Sequence, residues 1–200
     1  MKNLIVRGGV RIPTPESYRD CIILVQSDLF RNSGRVIPLW RILISFSMSW
    51  MNPLFWLRLS EYKGWMYRWT KQRYNTVSSR RLINIPISTK IGYGLYLGHC
   101  CGVIVNKTAV IGNNVSIQQF VTIGSNHDRA ATICDKVWIG PGCCVVEDVI
   151  IGEGSNIGAG AVVVKDVEEH SVAVGVPAKV VNHNPEPVIG NYYKIEIIDE

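Results

Sequence analysis

An aliphatic residue recurs every six positions through the second half of the chain. The series comprises Ile91, Leu97, Val105, Ile111, Ile117, Ile123, Ile133, Ile139, Val145, Ile151, Ile157 and Val163. In seven of these twelve steps the next residue is Gly, and the residue four positions after the aliphatic is usually small or β-branched. A helix repeats near 3.6 residues and a strand repeats at two, so neither explains a period of six.

This period predicts a solenoid of short, flat strands over about residues 85–167, with three turns in each coil of about 18 residues. Each aliphatic residue is expected to point inward, and the Gly that follows it suits a tight corner. Stacked coils then bury a continuous aliphatic column. The chain is therefore expected to have a mainly β fold.

The period breaks at two places. Residues 98–102 absorb a slip of two positions, and residues 124–132 form a polar insertion. Irregular segments on a rigid scaffold often carry functional groups. These two breaks contain His99 and His127, two of the four histidines, and are the first candidates for a functional site.

The first 84 residues have a different composition. They carry 14 Lys and Arg against 4 Asp and Glu, whereas residues 85–200 carry 7 against 12, and five of the six Trp precede residue 70. The apolar stretch 42–57 is shorter than the roughly 20 residues that a membrane-spanning helix needs. It favours a pair of packed helices broken at Asn52-Pro53. The alternative is a segment within 36–81 that lies on a membrane surface through its Trp and basic side chains.

Composition narrows the class of protein further. With 200 residues and 47% hydrophobic content, the chain is long enough for one core and is not a disordered tail. No secretory signal is visible at the N-terminus, and two adjacent cysteine pairs do not suit a secreted disulfide framework. We expect reduced, structural cysteines and a cytoplasmic protein, with the inner face of the membrane as an alternative location. No P-loop or dinucleotide-binding motif occurs, and no nucleic-acid partner is expected.

Five stretches resemble the hexapeptide-repeat acyltransferases, in particular the serine acetyltransferase-like branch that includes O-acetyltransferases of bacterial surface polysaccharides. The stretches are 90–99, 109–117, 137–142, 156–163 and 175–181. The resemblance implies a left-handed parallel β-helix, assembled as a homotrimer with active sites in the clefts between subunits. The expected organisation is an N-terminal helical region at 1–84, the β-helix at 85–181 and a C-terminal tail at 182–200.

The same resemblance implies catalytic roles. His99 is at the position of the general base, and an imidazole suits proton transfer near neutral pH. Asn84 replaces the carboxylate that supports this base, and its carbonyl oxygen is still able to orient an imidazole.

Two further positions depart from the family pattern. Gly98 replaces an acidic residue, and Ala130 replaces a second histidine. Asp128 and Arg129 remain as candidate acceptor-binding residues. His127 is either a partial substitute for the missing histidine or an exposed side chain without a role.

The cofactor side of the pattern is more complete. The resemblance implies that acetyl-CoA lies along the coil corners, where small residues leave room for a pantetheine arm and lysines meet the phosphates. The candidate cofactor-binding residues are Asn126, Gly140, Gly142, Ala159, Gly160, Lys165 and Lys179. No metal is expected to be required.

These features predict an acetyl-CoA-dependent O-acetyltransferase. We expect the acceptor to be a sugar of a surface polysaccharide or its precursor, because lost polar contacts weaken discrimination in favour of an amino acid. The first alternative is a serine O-acetyltransferase, and a second is a non-catalytic interaction scaffold. A zinc enzyme with three histidine ligands is a further alternative, but only His99 and His127 lie near the breaks.

Overall fold

The computed structural model describes residues 1–44 and 52–195. The chain begins with two antiparallel strands joined through a 3-10 turn, and helices follow. These elements are β1 (Lys2–Ile5), the turn Arg7–Gly9, β2 (Arg11–Thr14), α1 (Tyr18–Ser33), α2 (Leu39–Ile44), α3 (Pro53–Glu61) and α4 (Tyr67–Ser79). The hairpin was not expected, since residues 1–84 were predicted to be helical, and its short strands show no long alternation that would reveal them.

Local chemistry sets the helix ends. Ser17 caps α1 by accepting a hydrogen bond from the N–H of Asp20, and Gly34 ends it in the left-handed conformation at φ 66°. Asn52 caps α3 in the same way, with Pro53 at the first helical position. The predicted break at Asn52-Pro53 is therefore the start of α3. The rest of the predicted helix pair falls partly on residues 45–51, outside the described residues.

The following residues form a left-handed parallel β-helix with three faces, each a parallel sheet that runs from the first coil at the base to the last at the top. What we call the hairpin face contains β3 (Lys90–Ile91), β6 (Val110–Ile111), β9 (Thr132–Ile133) and β12 (Ile150–Ile151). The helix face contains β4 (Tyr96–Leu97), β7 (Ser116–Ile117), β10 (Trp138–Ile139), β13 (Asn156–Ile157) and β15 (Ser171–Val174). The open face contains β5 (Ile104–Val105), β8 (Thr122–Gly124), β11 (Cys144–Val146) and β14 (Val162–Val163).

The predicted interior column is confirmed. All twelve aliphatic residues of the repeat are buried, none more than 7% exposed. Register shows where the repeat is interrupted: Ile91 pairs with Ile111, Ile111 with Ile133, and Ile133 with Ile151. The first two coils are therefore longer than the 18 residues of the third, because the slip and the polar insertion each add residues at a corner.

The N-terminal hairpin covers the hairpin face. Val10 and Ile12 form a small buried cluster with the outward side chains of Val110 and Cys134. The Asn113 side chain donates a hydrogen bond of 2.8 Å to the carbonyl oxygen of Arg11. The hairpin thus covers the middle coils of this face.

The helices are anchored to the first coil by a buried cluster of charges. Arg58 on α3 donates to both carboxylate oxygens of Asp28 on α1, to Glu61, and to the carbonyl oxygen of Ile91 at 3.2 Å. Asp28 in turn accepts a hydrogen bond of 2.8 Å from the N–H of Leu95. Burial raises the pKa of Glu61 to about 7, although Arg58 opposes that shift. The first coil and the two helices are therefore one packed unit.

The C-terminal tail covers part of the helix face. Strand β16 (Lys179–His183) pairs antiparallel with β15. Farther on, Arg31 of α1 donates to the carbonyl oxygens of Ile189 and Asn191 at 3.2 and 2.9 Å. Arg31 also donates to Ser116 Oγ on β7 at 2.7 Å. On the open face, by contrast, the outward side chain of Ile104 is 48% exposed.

Candidate active site

His99 lies on an enlarged corner between the helix face and the open face. This corner connects β4 to β5 through residues 98–103, whereas the corner above it needs only residues 118–121. His99 and Cys100 both adopt left-handed backbone, at φ 53° and 51°, which is uncommon for residues with a Cβ. The His99 side chain is exposed. The two extra residues thus push an imidazole out of an otherwise regular column.

Asn84 lies at the base of the open face. Its backbone bridges to Ile104, accepting a hydrogen bond of 2.9 Å from the N–H of Val105. Its side chain is exposed and lines a cleft of about 360 Å³ that also includes Lys71 of α4. Among residues 1–44 and 52–195, no hydrogen bond joins Asn84 to His99. The expected support of the base is therefore not a direct contact within this chain.

The polar insertion leaves the solenoid between β8 and β9. This is the lateral edge of the open face opposite the His99 corner. Ser125 Oγ donates to Glu147 Oε2 at 2.6 Å, and the N–H of Asn126 donates to Oε1 of the same carboxylate. These hydrogen bonds lower the pKa of Glu147. At the far end of the insertion, the N–H of Ala130 donates to Thr108 Oγ1 at 3.0 Å. The insertion is therefore pinned to the coils above and below it.

The three candidate acceptor-binding residues, His127, Asp128 and Arg129, are exposed on this insertion. Ala130, where the family has a second histidine, is buried and offers no polar group. Because His99 and the insertion occupy opposite ends of the open face, the structure does not bring them together within one chain.

The same corner is open in the two coils above Phe120, where cofactor-binding residues were expected. Gly142 and Gly160 have left-handed backbone at φ 70° and 69°, and a Cβ added to either would meet no atom within 4 Å. Ala159 beside them is exposed. Gly140 has a different role, since a Cβ there would lie 2.8 Å from the carbonyl oxygen of Ile157 in the next coil. Gly142 and Gly160 therefore leave open space at this corner beside Ala159, whereas Gly140 is packed against the next coil.

The structure separates the two candidate phosphate-binding lysines. Lys179 begins β16, close to the upper end of the glycine corner, where the N–H of Ala178 donates to the carbonyl oxygen of Val162. Lys165 follows β14 and lies on the same side of the open face as the insertion that carries Asn126. Within one chain, only Lys179 is near the glycines.

Two residues near His99 were not predicted. Gln118 and Phe120 lie on the corner directly above it, and Phe120 occupies the place of Gly142 and Gly160 in the higher coils. The sequence did contain a signal for Phe120, because an aromatic residue at a corner position that is otherwise glycine is unusual. In the described part of the chain, no group of three or more His, Cys, Asp or Glu side chains is placed to hold a metal ion.

Comparisons with known proteins agree with this architecture. Residues 130–165 match the family model described as bacterial transferase hexapeptide (six repeats). The serine acetyltransferase of Escherichia coli K12 is 38% identical over 144 residues, which are 64% of this chain and 53% of that protein. The chain thus spans about half the length of the curated relatives it matches.

Solved structures extend the similarity. The soybean serine acetyltransferase apoenzyme is 30% identical with a TM-score of 0.67, and the match covers 82% of this chain and 69% of that one. A serine acetyltransferase complexed with CoA is 28% identical with a TM-score of 0.60, covering 82% and 70% of the two chains.

These relatives overturn the expectation of a sugar acceptor, because they are named for serine. That expectation depended on polar groups missing at positions 84, 98 and 130. At these positions, Asn84 keeps a polar side chain at the base of the open face and the carboxamide of Gln118 lies beside Gly98, whereas Ala130 offers no polar group.

Proposed function

Because the chain belongs to the hexapeptide-repeat acetyltransferase family that includes the serine acetyltransferases, we propose that it is an acetyl-CoA-dependent serine O-acetyltransferase. The observation that carries this proposal is the exposed His99 on its enlarged corner, with open glycines at the same corner in the coils above Phe120. An exposed base beside a groove for an extended thioester is what direct acyl transfer requires.

His99 takes the proton from the serine hydroxyl as its oxygen attacks. Acetyl-CoA supplies the acetyl group as an activated thioester; the carbon–sulfur bond breaks, and CoA leaves as a free thiol with the proton that His99 had taken. The pantetheine arm lies in the space that Gly142, Ala159 and Gly160 leave at the corner. Lys179 forms an ion pair with a phosphate of the cofactor. No cysteine carries the acetyl group, because the attack is direct.

The test is the release of free thiol from acetyl-CoA with L-serine as the acceptor. D-serine and L-threonine serve as matched controls, since each keeps the hydroxyl but changes its position or surroundings. Release that depends on L-serine and yields O-acetylserine is expected. Tight binding of acetyl-CoA without transfer to serine would contradict the proposal and favour the non-catalytic scaffold.

We further propose a homotrimer in which each active site is shared. The open face exposes Ile104, and His99 and the insertion lie at its two ends. An interface between open faces of two subunits brings the His99 corner of one toward the insertion of the other. Asp128, Arg129 and His127 then bind the acceptor, and Asn126 and Lys165 reach the cofactor from the neighbouring subunit.

Mixing two inactive variants tests the shared site. His99→Ala and Arg129→Ala subunits, unfolded and refolded together, should form trimers in which some sites are intact, with activity about tenfold above either variant alone. Refolding each variant separately is the control. A mixture no more active than its parents would show that each site is built by one chain.

We also propose that the base of the molecule contacts an anionic membrane surface, at the cytoplasmic side. Glu61 is the only acidic residue between Leu29 and His127, and it is paired with buried Arg58. Trp65 is 87% exposed, and the neighbouring exposed cations include Lys63 and Lys71. Aromatic and basic side chains together favour the interface of an anionic bilayer.

Vesicle sedimentation tests this contact. Binding to vesicles with one third phosphatidylglycerol, none to pure phosphatidylcholine, and weaker binding by Trp65→Ser are expected. Equal recovery in the supernatant with both vesicles would contradict it. No helix in residues 1–44 and 52–195 is long and apolar enough to cross a bilayer.

A further inference from the structure

The corner at residues 118–121 lies directly on the corner that carries His99. The flanking strands are in register, with Leu97 beside Ile117 and Ile104 beside Thr122. A single backbone hydrogen bond of 3.3 Å, from the N–H of Phe120 to the carbonyl oxygen of Cys101, joins the tips of the two corners. Six residues below, 98–103, must therefore be matched by four residues above, 118–121.

Two side chains of the upper corner occupy the space beside two glycines of the lower corner. A Cβ added to Gly98 would overlap the carboxamide of Gln118, with Cδ only 2.6 Å away. A Cβ added to Gly102 would overlap the ring of Phe120, with Cε1 2.8 Å away. The two glycines bracket His99, so the segment is held at both ends by side chains that would clash with any larger residue there.

The backbone conformation at residue 120 does not favour a phenylalanine. Its backbone is left-handed at φ 60°, a conformation that the higher coils give to Gly142 and Gly160 at the same corner position. A Cβ makes that conformation costly. The ring is also 62% exposed, so burial of apolar surface offsets little of the cost. Folding alone would favour glycine at this position.

We propose that Gln118 and Phe120 are positioning residues that clamp the corner 98–103 at its two glycines and fix the imidazole of His99 at the open face. His99 and Cys100 both have left-handed backbone in a corner two residues longer than its neighbours. Such a segment has several conformations of similar energy unless its ends are held. The clamp selects the one that presents the base. This inference rests on the proposed role of His99 as the general base.

The first test replaces Phe120 with glycine. Because Phe120→Gly relieves the left-handed backbone, the melting temperature should stay the same or rise, while kcat falls about tenfold as the base loses its orientation. The KM for acetyl-CoA should not change. Lys136→Gly is the matched control, since Lys136 is exposed and left-handed at φ 59° on a corner away from the open face, and it should keep full activity.

The second test is a double-mutant cycle on the other contact. Gly98→Ala pushes the carboxamide of Gln118 aside, and Gln118→Ala removes it, so each should lower kcat by a similar factor of about ten. The double variant should be no worse than either single one, because the added methyl group then meets empty space. Independent, multiplying losses would overturn the role of Gln118.

NMR of the imidazole separates this inference from the proposed function. With histidine labelled and His99→Ala used for assignment, the wild-type protein should give one sharp His99 signal, and Phe120→Gly and Gln118→Ala should broaden or split it. An unchanged signal and unchanged kcat would overturn the clamp, as would a parallel loss of kcat and melting temperature. Failure of the wild-type protein to acetylate serine would reject the proposed function, while the NMR signal would still decide the clamp.

Discussion

One corner of the solenoid is used in two different ways along its length. In the two lower coils it carries side chains, with His99 on the enlarged segment and Phe120 above it. In the two upper coils, Gly142 and Gly160 leave the same position open. The backbone conformation is left-handed at Phe120, Gly142 and Gly160, so the difference lies in the side chains. A repeated scaffold thus presents, along one corner, side chains in the lower coils and open space in the upper coils.

The largest effect on activity is expected when the imidazole of His99 is removed from the lower part of this corner. His99→Ala should lower kcat for serine by roughly 10²–10⁴, because the acceptor hydroxyl loses its general base. The oligomer and the melting temperature should not change, since the side chain is exposed. His170→Ala is the matched control, because His170 is also exposed and left-handed, on a corner away from the open face. Equal kcat in both variants would remove His99 from the mechanism.

A smaller effect is expected where the upper corner is filled. Gly160→Leu should raise the KM for acetyl-CoA about tenfold and leave the KM for serine unchanged, because the side chain occupies the space proposed for the pantetheine arm. Gly9→Leu is the matched control: Gly9 is also left-handed at φ 73°, and a Cβ there also meets nothing within 4 Å, but it lies in the N-terminal hairpin. Similar kinetic changes in both variants would attribute the effect to backbone strain.

The smallest effect is expected on the free energy of unfolding. It comes from the buried charge cluster that anchors the helices to the lower coils, because Glu61 in that cluster titrates. The folded chain holds the proton of Glu61 up to about pH 7, whereas the unfolded chain releases it near its ordinary pKa of 4.5. Between these values the folded state binds more protons, so this group makes stability fall as pH rises through the window, by about 3 kcal/mol. Denaturant unfolding of wild type and Glu61→Gln between pH 5 and 8 checks this. Parallel curves for the two proteins would contradict it.

Fold and site differed in how far the sequence predicted them. The solenoid, its two irregular places and the position of His99 follow from a period of six, because every interior position must be apolar and any insertion displaces the pattern. The N-terminal hairpin of β1 and β2 has no comparable periodic pattern in the sequence. Likewise, Gly140 and Gly142 look equivalent in the sequence, but only the packing of the next coil shows that Gly140 is structural and Gly142 is open.

The sequence by itself determined the architecture, since an aliphatic residue at every sixth position can be buried only by stacked coils. It also determined that His99 stands outside that repeat. The tertiary structure decided which face stays open, because α1, the hairpin and the C-terminal tail are distant in sequence and choose their faces by packing. It decided too that His99 and Arg129 are at opposite ends of one face. Long-range contacts of this kind depend on shape and burial in three dimensions, which no local pattern encodes.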